Sequence, residues 1–189
     1  MRQTRAADWL LFQDAVERIL DAVPSLPSER VPLTEAGGRV LAVPAISPLA
    51  QPPWDNSGMD GFAVHAADVA HATRNAPVQL RVVGEVLAGG FPDRPVERGE
   101  AIRIMTGAPL PPGADTVIRV EHTRPAGQLV EVFNAMDTGK NVRPLGEDIR
   151  VGETVLQAGI LLRAGEVGVL AAIGMAAPEV ARRPVCAIL

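Results

Sequence analysis

From Pro52 to Val64 the chain reads Pro52-Pro53-Trp54-Asp55-Asn56-Ser57-Gly58-Met59-Asp60-Gly61-Phe62-Ala63-Val64. Proline fixes φ at the entry, glycines flank Met59-Asp60, and an apolar run follows. The pattern predicts a tight, preset turn feeding a strand, with two carboxylates, an amide and a hydroxyl held at the turn. Asp55, Asn56 and Ser57 are also ordinary turn formers through hydrogen bonds to their own backbone, so the residues alone leave both readings open.

A fold of many turns is what the remainder of the chain allows. Its 18 glycines and 17 prolines are spread along 189 residues without repeats, and 47% of residues are hydrophobic, which suits short strands and turns rather than disorder. Aromatics make only 3%, so Val, Leu, Ile and Ala must fill the core. A net charge of -4 with no basic stripe excludes a nucleic-acid binder held by phosphate contacts. The single cysteine, Cys186, rules out an internal disulfide framework and favours a reducing compartment. His65, His71 and His122 show no metal-ligand spacing. The apolar patch Trp9 to Phe12 lacks the pattern of a secretory signal, and Val167 to Ala177 is too short to span a bilayer. A cytoplasmic protein with no membrane partner is the expectation.

In chain order, Phe12, Val16, Ile19, Leu20 and Val23 recur at helical spacing and predict an amphipathic helix that Pro24 ends, with Asp8 as its one candidate cap. Thr34 to Leu41 predicts a second, short helix capped by Thr34, in which Gly37 costs about 1 kcal/mol relative to alanine. Phe62 to Val64, Val78 to Leu87, Ala101 to Met105, Thr116 to His122 and Leu129 to Asn134 are predicted strands, separated by Gly- and Pro-rich turns. Beyond them come a strand near Val155, a helix from Ala164 to Ile173 stopped by Gly174, and an apolar strand pattern from Val185 to Leu189. The fold class is mainly β with a few helices (α+β). Residues 45–143 are expected to form an all-β unit, and residues 182–189 the first strand of a further domain.

Two other segments concentrate unusual residues. Arg103-Ile104-Met105-Thr106-Gly107-Ala108, followed by Pro112-Gly113-Ala114-Asp115, takes a strand into a stiff corner whose hydroxyl and amides can face an oxyanion. A plain proline-rich corner fits the same residues. Gly139-Lys140-Asn141-Val142-Arg143 with Gly146-Glu147-Asp148-Ile149 alternates cations and carboxylates. Lys140 and Arg143 could hold phosphate, and Glu147 or Asp148 could help bind Mg²⁺, although surface turns often mix signs to little effect.

In this order, the three segments, together with Glu35-Ala36 and Gly38-Arg39-Val40-Leu41, resemble the amino-terminal half of the MoeA family, the molybdopterin molybdenumtransferases, which includes the gephyrin E domain. The resemblance implies an elongated linker domain, residues 1–44 and 144–181, with an inserted all-β domain, residues 45–143, and a transferase that inserts molybdate into adenylylated molybdopterin with Mg²⁺ and releases AMP. It implies Asp60, Thr106 and Asp148 as active-site residues, the carboxylates of Asp60 and Asp148 positioning Mg²⁺ or water and the Thr106 hydroxyl orienting an oxyanion. Asp55, Asn56, Ser57, Gly107, Lys140 and Arg143 then line the substrate site. A homodimer is implied as well.

Members of the family usually carry a large residue where Gly37 stands, Tyr at Phe62 and Pro at Ala164. Their nucleotide and pterin-binding α/β domain, opened by the strand matching Val185 to Leu189, is expected from another chain, so this polypeptide holds one wall of the site. The alternative is a non-enzymatic dimerisation or scaffold module of the same descent.

Overall fold

The structure, a computed structural model, describes residues 10–188. Asp8, Trp9 and Leu189, which figure in the expectations above, lie outside the described residues. The chain begins with α1 (Phe12–Ala22), β1 (Ser28–Arg30), β2 (Ala45–Ile46), β3 (Asn56–Ser57), β4 (Gly61–Val64) and α2 (Ala66–Val69). It continues through β5 (Val78–Val86), β6 (Glu100–Ile104), β7 (Thr116–Arg119), β8 (Thr123–Ala126) and β9 (Leu129–Val132). The last elements are β10 (Val142–Arg143), β11 (Thr154–Leu156), α3 (Ala164–Ala172) and β12 (Glu179–Ala181). This is the mainly β architecture with a few helices that the sequence predicts.

The chain divides into two compact units, one of described residues up to Ala45 and from Leu156 on, the other Ile46–Val155. The sequence-based boundary at Arg143 gave the following segment to the first unit. Backbone bonds explain why it clusters with the second: Gly146 N–H donates to Pro52 O at 2.9 Å, Ile149 N–H to Gln51 O at 3.0 Å and Gly152 N–H to Ser47 O at 2.8 Å.

In the second unit six strands form one sheet in the order β7-β4-β6-β5-β9-β8, antiparallel throughout except for the parallel β5–β6 pair. Strand β4 lies inside the sheet, one in from the β7 edge, and is buried on both faces. Phe62 and Val64 join a cluster with Leu80, Ile118, Val130 and Val132, while Ala63 joins one with Val86, Ile102, Ile104 and Val117, the two-residue period a strand dictates. Burying each such aliphatic side chain contributes about 1.5–3 kcal/mol. The predicted strand from Thr116 ends at Arg119, where Val120–His122 form a 3-10 turn. Strand β8 went unpredicted because it contains Pro125, which an edge strand tolerates where its missing N–H faces away from the ladder.

In the first unit β1 and β12 pair antiparallel, and the buried Arg39 reaches Glu29 at 2.5 Å and the Ala181 carbonyl at 2.7 Å. The predicted helix from Thr34 to Leu41 is not present. Only Leu33–Glu35 turn, as a 3-10 helix without a side-chain cap, because the backbone beyond bonds elsewhere: Gly38 N–H to Leu162 O and Leu41 N–H to Ile160 O. Helix α1 lacks a side-chain cap, and none of its residues is buried. Residues 182–188 pair with no strand, and Val185 and Ile188 are fully exposed. Over its described part this segment is irregular chain, since a strand needs a partner for its backbone groups.

Helix α3 starts at Ala164, and the Glu166 carboxylate accepts from the N–H of Arg163 at 2.9 Å. Arg163 is extended (φ -96°, ψ -175°), the conformation that a following proline favours, and the first helical N–H needs no intrahelical partner. Restoring the family's proline by Ala164→Pro is expected to stabilise the chain by about 0.5 kcal/mol through the unfolded state, measured by urea unfolding. A lower unfolding midpoint would contradict it.

Candidate functional site

The antiparallel register sets the site. Gly61 pairs with Ile104, so Asp60, one residue before β4, faces the chain that leaves β6. There the Thr106 N–H and the Thr106 hydroxyl both donate to Asp60 Oδ1, each at 2.7 Å. Gly107 takes φ +83° to make the corner, and its N–H donates to Ser57 O at 2.8 Å.

The glycines of the opening motif work differently from the expectation. Neither Gly58 nor Gly61 has positive φ. Gly61 is required for space: a Cβ there would stand 2.0 Å from the Ile118 carbonyl oxygen, where β7 crosses close to β4. At Gly58 the nearest atom, Asn141 O, would be 3.5 Å away, an ordinary contact.

The polar residues of the motif act mainly as structural ties. Asp55 Oδ1 accepts from Leu145 N–H at 2.7 Å, and the Ser57 hydroxyl donates to Met59 O at 2.5 Å. Asn56 is buried, and its Oδ1 has no hydrogen-bond partner. Strand β3 pairs with β10, Ser57 opposite Val142 and Asn56 opposite Arg143. Arg143 in turn donates from Nε to Glu147 at 2.9 Å and from Nη2 to Asp148 at 2.7 Å. Among the described residues Asp148 makes no hydrogen bond or ion pair with Asp60 or Thr106; its partner is Arg143. Lys140, the one lysine of the sequence, is exposed and without an ion pair among the described residues.

Electrostatically the corner is an acceptor. The Thr106 N–H, then its hydroxyl, and more weakly Arg103 hold the Asp60 carboxyl below its ordinary value against a small desolvation. Both Thr106 donors are thereby engaged by Asp60, and an oxyanion at this corner would meet a carboxylate. Sequence reasoning quoted Arg103 but gave it no role. It lies opposite Phe62 in the β4–β6 register, with its guanidinium carbon 5.1 Å from the centre of the buried Phe62 ring. Asp148 and Glu147 hold Arg143 above its ordinary value. An open cleft of about 540 Å³ lies beside them, walled in part by Glu147, Asp148, Arg150 and Glu153. Among the described residues no three His, Cys, Asp or Glu side chains converge as a cation site, and no helix is long and apolar enough to cross a membrane.

A carboxylate that the sequence did not single out organises this region. Asp137, 1% exposed, accepts from Arg119 Nη2 at 2.8 Å, from Arg119 N–H at 3.1 Å and from His122 Nδ1 at 2.7 Å. Burial pushes its carboxyl up, but the bonds from Arg119, His122 and Asn141 outweigh that and bring it from 3.8 down to about 2. The ionised pair adds about 2 kcal/mol of stability above the ordinary carboxyl value, lost as the pH falls through about 2.

An α+β unit interrupted by a mainly antiparallel β unit, with an acid–hydroxyl corner at the start of the interior strand β4, defines a class. The MoeA N-terminal region (domain I and II) matches residues 10–174. The chain belongs to the MoeA family. It is 41% identical over 169 residues to the molybdopterin molybdenumtransferase of Synechococcus elongatus, covering 88% of this chain and 42% of that protein. Over 146 residues it is 41% identical to molybdopterin molybdenumtransferase 2 of Mycobacterium tuberculosis, covering 77% of this chain and 36% of that one. The crystal structure of the molybdopterin biosynthesis moeA protein from Pyrococcus horikoshii OT3 superposes with a TM-score of 0.87 at 36% identity, over 91% of this chain and 46% of that one. The chain thus spans less than half the length of these relatives.

Replacing Thr106 by Val removes the hydroxyl donor and is expected to raise the Asp60 carboxyl towards its ordinary value, read by carbon NMR titration of the side chain. An unchanged titration would show that the hydroxyl does not hold the carboxylate ionised.

Proposed function

We propose that this polypeptide serves molybdenum cofactor biosynthesis, in the Mg²⁺-dependent insertion of molybdate into adenylylated molybdopterin with release of AMP. What carries the reading is the Asp60–Thr106 corner, an exposed carboxylate held ionised at the family's motif. Mg²⁺, when bound, would neutralise phosphate and oxyanion charge. A hard cation of this kind is commonly held by one or two carboxylates completed by water and substrate phosphates, and the donor types of Asp60 and Asp148 fit it. Asp60 Oδ2 makes no hydrogen bond among the described residues, so one oxygen of that carboxylate is open. Arg143 orients Asp148, and Lys140 offers a cation to a phosphate. Asp55 and Ser57 keep β3 and its neighbouring loops in place around these groups, and Asn56 pairs through its backbone with Arg143.

The acceptor character of this corner supports a divided site. The rest of the family fold, on the same or another chain, would supply the nucleotide and pterin pocket. With molybdate, Mg²⁺ and adenylylated molybdopterin, the 189-residue chain alone is expected to show no turnover. Grafted onto the remainder of a full-length relative it should be active, and Asp60→Asn should lower that activity by about 100-fold. Turnover by the isolated chain would refute the divided site, and an unimpaired Asn variant would refute the role of Asp60.

The non-enzymatic reading, a dimerisation or scaffold module, is favoured by one observation that also suits the transferase. Phe12, Ile19 and Leu20 on α1 are 82%, 63% and 66% exposed, an apolar stripe of the sort that pairs with a second copy. A homodimer through α1, in the cytoplasm, is the proposed state. Ile19→Asp with Leu20→Asp is then expected to shift sedimentation from dimer to monomer without altering the circular dichroism of the β unit; a monomeric parent chain would overturn it.

A further inference from the structure

At the β8 edge of the sheet a second cavity, of about 270 Å³, is walled by Arg74, Arg124 and Phe133. Each comes from a tied segment. Arg124 stands in β8 opposite Glu131, and Phe133 follows β9 with its N–H bonded to His122 O at 3.1 Å. Arg74 is displayed on a turn closed in both directions, Thr73 N–H to Ala76 O at 3.1 Å and Ala76 N–H to Thr73 O at 3.2 Å. Both guanidinium carbons stand 5.9 Å from the centre of the Phe133 ring.

Six other arginines of the chain are neutralised at close range. Arg39, Arg81, Arg94, Arg98, Arg119 and Arg143 each hold a carboxylate at 2.9 Å or less. Arg74 makes no ion pair among the described residues, and Arg124 only approaches Glu131, at 3.9 Å. Two like charges gathered on one ring repel each other, and the attraction of an exposed ring for a cation is only about 0.5–1 kcal/mol. An anion between them turns that repulsion into attraction, and the planar fork of each guanidinium matches a pair of phosphate oxygens. Because both guanidinium carbons stand 5.9 Å from one ring centre, their separation is bounded, and one anion of two linked phosphates can reach both.

We propose that Arg74, Arg124 and Phe133 form a binding site for a small anion carrying two linked phosphate groups, separate from the Asp60 corner. None of the three residues belongs to the motif segments, so the site stands or falls independently of the transferase reading.

Calorimetric titration of the full chain with inorganic pyrophosphate, and in parallel with inorganic phosphate, tests it at about physiological ionic strength, where non-specific attraction between exposed charges is screened. Saturable pyrophosphate binding about tenfold tighter than phosphate binding is expected, weakened about tenfold by Arg74→Gln and by Arg124→Gln. The doubly substituted Arg74→Lys, Arg124→Lys chain keeps the charge and loses the forks, and should bind about fivefold more weakly than the parent. Asp60→Asn should leave the titration unchanged, which separates this site from the transferase corner. Absence of saturable binding, equal affinity for the two anions, or binding that survives either glutamine or the double lysine substitution would overturn the proposal.

Discussion

The candidate site depends on a charge that never meets solvent. Asp137 pins Arg119 at the end of β7 and His122 in the following turn. From it the chain runs through Gly139 and Asn141, both at positive φ, into β10. That loop is strapped back to β7: Gly139 N–H donates to the Thr116 hydroxyl at 2.9 Å, and the Asn141 amide to Val117 O at 2.9 Å. Since β10 pairs with β3, the position of Arg143 beside Asn56 is inherited from a buried carboxylate some distance along the sequence. Removing one partner of such a pair leaves an uncompensated charge, a larger effect than the net contribution of the pair itself.

The same reasoning gives the Asp60 corner its chemistry. A hydroxyl beside a carboxylate can present a proton outwards or turn it inwards, and the geometry selects inwards, towards Asp60 Oδ1. The outward surface then offers lone pairs and negative charge, which recruit cations or N–H donors and repel oxyanions. Arg103, laid over the Phe62 ring, moderates this field without an ion pair to Asp60.

Legibility in the sequence followed the range of the interaction. Strands β4, β5, β6, β7 and β9 and helices α1 and α3 were readable because local periodicity and breakers determine them. The helix expected at Thr34 was wrong because the partners of that segment, Ile160 and Leu162, lie far along the chain, and tertiary bonds overrode propensity. In the motif, the need for glycine at Gly61 was read correctly and its cause was not: crowding by Ile118 is invisible until β7 is placed against β4. Asp137, in an unremarkable Met-Asp-Thr context, gave no signal, since its importance arises from Arg119 and His122 folding over it. Asp60 and Thr106 were both singled out, yet their direct contact follows from the pairing of Gly61 with Ile104, which no motif states.

That register also bears on how the proposed reaction would be divided. Of the acids around the cleft, Glu147 and Asp148 are already paired with Arg143, and Glu153 accepts from the Arg150 N–H. A doubly charged oxyanion approaching the Asp60 carboxylate alone would be opposed unless a divalent cation came with it. Neutralising side chains placed opposite would lower the same barrier, and the remainder of the family fold is where the proposed reading puts them. An acidic half-site therefore makes physical sense as a cation-holding wall, and makes little sense as a complete pocket for an anion.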